Sequence, residues 1–214
     1  MIYKVDPNNP EIEIIKKATN LIKSGHLVIC PTDTAYMLSA NALDKKAVRK
    51  IFAFKRRSLS NPIHVVVTSI KEAESYVFIN ENAKKIARRF LPGPLTLILP
   101  KRKIVPDILT ANLQTLGIRI PENKICVKLA AQCGLPLSAT SVNINKEKAT
   151  YSVEEMKAQF GKQLDEIPLI LDAGKLLNIP VSTIVDLTGK KPRILREGPI
   201  SGKDIMDLIV EGRS

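Results

Sequence analysis

Arg119 stands alone in an apolar run, Leu116–Pro121, flanked by Ile118 and Ile120. In a strand the two isoleucines point away from the face that carries the arginine. A guanidinium on such a face needs an anion, because an unpaired charge is expensive to bury. A ligand carboxylate can supply it, gripped at both oxygens by the planar fork. An internal acid such as Asp172 or Asp186 could also do so; we favour the ligand. Three other apolar runs end in hydroxyls and amides: Val28–Thr34 (VICPTDT), Leu135–Asn143 (LPLSATSVN) and Val181–Asp186 (VSTIVD). The hydroxyls of Thr34 and Ser182 can donate and accept hydrogen bonds, although each could simply cap a neighbouring turn. Lys55 and Arg57, two apart in FKRRSLSNPIHVVV, add cations just before a strand. Packing needs apolar strands but not polar strand ends, and in open α/β sheets ligands sit at those ends. The pattern predicts a polar ligand that carries negative charge.

The elements that would position these residues follow from periodicity. DPNNPEIEIIKKATNLIKSG reads as a helix capped by Asn9, with Pro10 in its first turn and Gly25 past its end. Ile12, Ile15, Ala18 and Ile22 share one face of it. HLVIC follows as a buried strand. Asp44 caps a second helix with Val48, Ile51 and Phe52 inward, and IHVVVTS is a strand. A helix over residues 81–90 leads through PGP into the strand PLTLIL. After a looser middle come the GIRIP strand, a helix over residues 124–133 ended by Gly134, and the strand PLSAT. Ser152 and Glu155 suit a capping box. PLILDAG, STIVDL and PRILRE read as further strands, and Ser201 caps a closing helix. Helices and strands alternate early and strands dominate later, which predicts one α/β domain over residues 1–214 with a mixed, twisted sheet and flanking helices.

The 214 residues carry 33 Lys and Arg against 21 Asp and Glu, a net charge of +12. Such a surface attracts phosphates and nucleic acid. Aromatic residues make up only 4% of the chain, which argues against a stacking platform for single-stranded RNA. Cys30, Cys126 and Cys133 show no CxxC spacing, so they read as buried thiols rather than a disulfide framework or zinc site. With two histidines in all, a histidine-rich metal site is excluded. No apolar run is long enough to span a membrane, and the first ten residues lack a signal-peptide stretch; a cytoplasmic protein is expected.

There is no GxxxxGK[ST] loop, GxGxxG, HExxH or Gly-x-Ser-x-Gly elbow. What is present is an ordered series: PTDTAYMLSANALDKKAVRKIFAFKRRSLSNPIHVVV, FLPGPLTLILP, GIRIP, LPLSATSVN and STIVDLTGKKPRILREG. In that order the chain resembles the YrdC-like family, which includes threonylcarbamoyl-AMP synthase, from about Gly25 to Ser201, and in length it resembles the short form of that family. The resemblance implies an open, twisted mixed sheet around a large basic cavity. It implies a reaction that joins L-threonine, bicarbonate and ATP (with Mg2+ on the phosphates, and no metal held by the protein alone) into threonylcarbamoyl-adenylate and pyrophosphate. A transfer complex then modifies the tRNA adenosine beside the anticodon.

Carried over by position, Arg119 binds the threonine carboxylate, with Thr34, Ala139, Ser182 and His64 around the amino acid. Lys55 and Arg57 reach the triphosphate, Arg196 approaches it from another strand, and Asn61, Thr115, Ser141 and Asn143 match polar positions of the nucleotide site. Lys55, Arg57 and Arg196 are the residues expected to act on the reacting phosphate. The chain departs from the family pattern in places. Arg56 replaces a common glycine and reads as a solvated surface residue. Met37 replaces another glycine, which would narrow the pocket. The family's histidine position is Val66; positions 64 and 66 share a strand face, so either His64 substitutes from one pleat away or it is an unrelated edge residue. Two other functions compete: a non-catalytic module whose basic cavity holds tRNA or double-stranded RNA, and a carbamoyl-adenylate enzyme of the hydrogenase-maturation type, which would call for acylphosphatase or zinc-finger regions not recognisable here.

Overall fold

The computed structural model describes residues 1–189 and 191–210. Short apolar runs bounded by turn residues become strands: β1 (Ile2–Lys4), β2 (Val28–Pro31), β3 (Tyr36–Ser39), β4 (His64–Val66), β5 (Leu95–Pro100), β6 (Thr115–Arg119), β7 (Leu137–Ser141), β8 (Leu169–Asp172), β9 (Thr183–Asp186) and β10 (Arg193–Arg196). Amphipathic runs between them become α1 (Ile12–Lys23), α2 (Lys45–Phe54), α3 (Ile70–Ala73), α4 (Glu81–Phe90), α5 (Lys124–Cys133), α6 (Val153–Phe160) and α7 (Gly202–Val210). The strands form one mixed sheet in the order β1-β8-β2-β3-β7-β4-β6-β5-β9-β10. Pairs β1/β8, β2/β8, β4/β6 and β5/β9 are parallel; the other five are antiparallel. The expected α/β class with a mixed open sheet and flanking helices is observed.

Most caps expected from the sequence are formed. Asp44 accepts from Lys46 N–H, Ser152 from Glu155 N–H and Ser201 from Asp204 N–H. Gly134 ends α5 at φ +64°. The start of α1 is a correction. Glu11, not Asn9, occupies its N-cap position, without a side-chain cap. The carboxylate of Asp6 takes the Asn8 N–H, so this stretch is held in a turn instead of joining the helix. Ile12, now the first helical residue, is 66% exposed, and Ile14 joins Ile15, Ala18 and Ile22 in the core. The three-residue β1, the one-turn α3, the 3-10 turn at Gly161–Glu166 and β3 were not expected.

Alternation divides the sheet into two faces. Leu38, Val65, Leu97, Ile118 and Val185 lie on one, covered by the apolar sides of α2, α4, α6 and α7 in a single core cluster. Val28, Cys30, Met37, Val66, Leu137, Leu169 and Leu171 lie on the other, packed under α1 and α5 together with Cys126 and Cys133. All three cysteines are free and buried, as expected. The helices on this second face cover only part of it.

The connection from β8 to β9 crosses most of the sheet. The two strands stand second and ninth in the order, so seven strand spacings separate them, roughly 34 Å in a flat sheet. The eleven steps from Asp172 to Thr183 reach at most about 36–40 Å. The sheet is not flat: residues next to β2 and β9 line one cavity, so its curvature brings the two ends closer and leaves the segment room for the tight turn in which Ile179 N–H bonds to Leu177 O. Leu176 N–H on Tyr151 O and Tyr151 Oη on Ile179 O tether it on the way.

Candidate active site

Where α1 and α5 stop covering the second face, a cavity of about 300 Å3 opens, in the range of small-molecule sites. Strand register brings its floor together from neighbouring rows of one sheet face. Met37 pairs with Ser141, His64 with Ala139, Val66 with Arg119, and Ile184 with both Thr96 and Arg196. Leu97 opposite Ile118 puts Thr96 beside Arg119. Thr34, Met37, Arg57, His64, Arg119, Ala139, Ser141, Ser182 and Arg196 all line the cavity. Met37 thus contributes a thioether to the wall where the family pattern has glycine.

The turn between β2 and β3 sets the position of Thr34. Thr32 Oγ1 accepts the N–H groups of Thr34 and Ala35 at 3.1 and 3.2 Å and donates to Ala35 O at 2.7 Å. This side chain and the backbone bond from Thr32 N–H to Ala35 O at 3.1 Å hold the four-residue turn, and Thr34 Oγ1 lies 3.2 Å from Thr32 Oγ1. Ser182, buried, shares a 2.9 Å hydrogen bond with Thr96 Oγ1.

Arg119 does not stand free. Its Nη2 meets Asp33 Oδ1 at 2.5 Å, with both side chains 11% exposed. The partner is neither Asp172, which accepts from Tyr36 Oη, nor Asp186, which binds Arg193. The pair is incomplete, because Arg119 Nε and Asp33 Oδ2 are buried without a hydrogen-bond partner, and Arg119 still faces the cavity.

The other two cavity arginines have only neutral partners. Arg57 donates to the carbonyls of Asn61 and Pro62 at 3.2 and 2.8 Å. Arg196 donates from Nε and Nη2 to Ser182 O at 2.9 and 2.8 Å. Burial pulls both guanidinium pKa values down, and Arg119 adds to the pull on Arg196; arginines nonetheless stay charged in proteins. His64 is central to the group. Burial first, then Arg196, Arg57 and Arg119, push its pKa down to about 4, so the imidazole is neutral at pH 7. Gly117 makes room for the ring: a Cβ there would stand 2.5 Å from His64 Cδ2. Val66, on the same face, packs in the core under α5, so β4 passes from core to cavity between positions 66 and 64.

Four residues expected at the nucleotide do not line the cavity. Lys55 is 1% exposed; its ammonium donates to Ser141 O, to Asn143 O at 2.8 Å and to Asn143 Oδ1 at 2.9 Å. Burial, with Arg57 close by, lowers its pKa to about 7, whereas three acceptors favour the ammonium, since a neutral amine has only two N–H groups to give. The Asn143 amide also accepts from Ser141 Oγ and donates to Ile144 O and Glu147 O. Asn61 presents its backbone carbonyl to Arg57. Thr115 pairs with Pro100 at the opposite end of β6 from Arg119, roughly 13 Å along the strand.

Four hydroxyl-bearing wall residues were not among the expected site residues: Thr32, Tyr36, Thr96 and Thr140. A lone threonine inside PLTLIL was the available signal for Thr96, since a hydroxyl in an apolar strand needs a partner. Asp33 was visible in PTDT but had no evident counter-ion.

A family model described as telomere recombination, Sua5/YciO/YrdC, matches residues 20–198. A protein of Methanocaldococcus jannaschii is 40% identical over 189 residues, 88% of this chain and 86% of its own length. The threonylcarbamoyl-AMP synthase of Pyrococcus abyssi is 38% identical over 200 residues, 93% of this chain and 58% of its own. The structure of Pyrococcus abyssi Sua5 complexed with L-threonine superposes with a TM-score of 0.92 at 36% identity, over 98% of this chain and 61% of that one. Escherichia coli YciO superposes with a TM-score of 0.85 at 28% identity, over 96% and 98% of the two chains. The chain thus spans about three fifths of the Pyrococcus protein and nearly all of YciO. Matched by the family model over most of its length and sharing the fold of these relatives, the chain belongs to the Sua5/YciO/YrdC family.

Proposed function

We propose that this chain makes threonylcarbamoyl-adenylate from L-threonine, bicarbonate and ATP, releasing pyrophosphate, as the first step in modifying the tRNA adenosine beside the anticodon. The observation that carries the reading is the distribution of charge in one cavity. Arg119 stands among the hydroxyls of Thr34, Thr96 and Ser182 and suits an amino acid's carboxylate, while Arg57 and Arg196, bonded among the described residues to neutral oxygens, retain full demand for phosphate. The naming of the Pyrococcus relative and its threonine complex support the same reading.

The chemistry asks for little proton transfer by the protein. The threonine amine adds to carbon dioxide derived from bicarbonate and loses a proton, giving a carbamate anion. A carbamate oxygen then forms a bond to the α-phosphorus as the bond to the β-phosphate oxygen breaks, and pyrophosphate leaves. The protein's tasks are to hold two anions together and to keep water from the labile product. Magnesium enters in this reading with ATP, as part of the substrate. Lys55 contributes by fixing the Ser141–Asn143 segment, and Arg57 and Arg196 by meeting the phosphates.

The test is pyrophosphate release by the pure protein. It should require threonine, bicarbonate and ATP together, and Arg119→Ala should abolish the threonine dependence. Release that ignores threonine would overturn the reading. The net charge of +12 favours one alternative, a non-catalytic RNA-binding module. Steeply salt-dependent tRNA binding, with no thermal shift from ATP or threonine, would put that in its place.

A further inference from the structure

We propose that Asp33 is a positioning residue for the amino-acid substrate, holding the Arg119 guanidinium by one nitrogen so that the rest of its fork stays at the cavity wall. This rests on the function proposed above.

Three observations support it. The first is the incompleteness of the ion pair. A carboxylate placed to neutralise a buried arginine would be expected to meet it at two points and leave no donor or acceptor unmet. Here there is one contact, Nη2 to Oδ1 at 2.5 Å, and both Arg119 Nε and Asp33 Oδ2 are left without partners. The second is the rigidity of the mount. Asp33 sits in the turn that Thr32 Oγ1 ties at Thr34 N–H and Ala35 N–H, so its backbone is fixed by the chain itself. The same turn presents Thr34 to the cavity and Asp33 to Arg119. The third is contrast. Among the cavity arginines, Arg57 and Arg196 have carbonyl partners and Arg119 has a carboxylate. The Asp33 carboxylate offsets the charge of one of three clustered cations and so reduces their mutual repulsion at the place where a single carboxylate, not a polyphosphate, is to bind.

Asp33 therefore acts through Arg119. Its loss should weaken threonine binding and leave ATP binding alone. The full chain is assayed for pyrophosphate release while threonine and ATP are varied separately, with thermal unfolding as a check on folding. Asp33→Ala, which removes the anchor, should raise the threonine KM at least tenfold with the ATP KM within twofold. Asp33→Asn keeps an oxygen acceptor for Nη2 and should restore the threonine KM to within about threefold of wild type. Asp33→Glu, one methylene longer, should push the guanidinium off position and raise the threonine KM at least tenfold; this variant carries the test if Asp33→Ala does not fold. Unchanged threonine KM in Asp33→Glu, a tighter threonine KM in Asp33→Ala, or a parallel rise in both KM values would overturn the inference. A wild-type protein with no threonine-dependent release would instead sink the functional reading, so the two failures are distinguishable.

Discussion

One face of the sheet is two environments joined along a seam. Under α1 and α5 the strands present Val28, Cys30, Val66 and Leu137; past those helices the same strands or the turns that continue them present Thr32, His64, Ala139 and Ser141. The seam crosses β4 between Val66 and His64 and β7 between Leu137 and Ala139, each time over one two-residue step. Alternation puts both sets on one face, so what changes across the seam is what covers them. Where a helix packs, the outward positions are aliphatic. Where none does, hydroxyls, a neutral imidazole and arginines join a few apolar residues such as Met37, Ala139 and Ile184. The cavity is thus a stretch of sheet face left without a helix, furnished with donors instead of methyl groups.

That division predicts separable damage, and the largest effects come from striking each side in turn. Leu129 is fully buried on α5, above the apolar half. Leu129→Ala should cost about 2–5 kcal/mol of stability and leave both substrate KM values of the folded protein unchanged. Arg196 lies on the cavity side and, among the described residues, bonds only to Ser182. Arg196→Ala should lower kcat/KM for ATP roughly 100-fold, the worth of a lost charge-assisted contact, with Tm shifted by no more than about 2 °C. Denaturant unfolding and steady-state kinetics on the two variants check the comparison. If each change damaged stability and ATP use alike, the seam would have no functional meaning.

A smaller effect sits on the seam itself. His64 is held neutral, with its pKa pushed down to about 4 by burial and three arginines. Its unfolded value is near 6.5. Between those values the unfolded chain binds the proton and the folded chain does not, so stability falls as the pH falls from 6.5 toward 4. Acidification from pH 7 to pH 4 should therefore cost the wild type up to about 3 kcal/mol more than His64→Gln. Urea unfolding at the two pH values measures the difference. Equal acid sensitivity in the two proteins would mean that His64 is protonated in the fold.

The sequence made the covered half easier to read than the bare half, for a physical reason. Periodicity reports burial under a helix, and α2, α4 and α5 begin and end where their caps and apolar spacing put them. The cavity depends on register between distant strands, which periodicity does not encode. Thr96 meets Ser182 across 86 residues; PLTLIL shows that this hydroxyl needs a partner but not which residue supplies it. Thr115 and Arg119 share β6, yet only one end of that strand reaches the cavity. Likewise a ligand carboxylate was the favoured partner of Arg119, with an internal acid such as Asp172 or Asp186 as the alternative; Asp33, in a turn, is the residue that the fold brings beside it.

Lys55 and Arg57 show how a turn separates neighbours, and this leads to the smallest predicted effect. They flank Arg56, which has φ +48°. Arg56 N–H bonds to Ala53 O and Arg57 N–H to Phe52 O, the paired bonds of a helix end whose C′ residue is left-handed. Glycine suits that position, as the family pattern noted above implies, and an L side chain there is strained. The turn sends Lys55 down to Ser141 and Asn143 and Arg57 out to the cavity, while Arg56 itself is exposed. Arg56→Gly should relieve the backbone at the expense of a more flexible unfolded chain. The net gain should be about 0.5 kcal/mol, a rise in Tm of about 1–2 °C for a chain of this size. Activity should stay within twofold, because Lys55 and Arg57 are each held by their own hydrogen bonds. A tenfold loss of ATP use in Arg56→Gly would place the Arg56 side chain among the phosphate ligands and move the edge of the cavity outward by one residue.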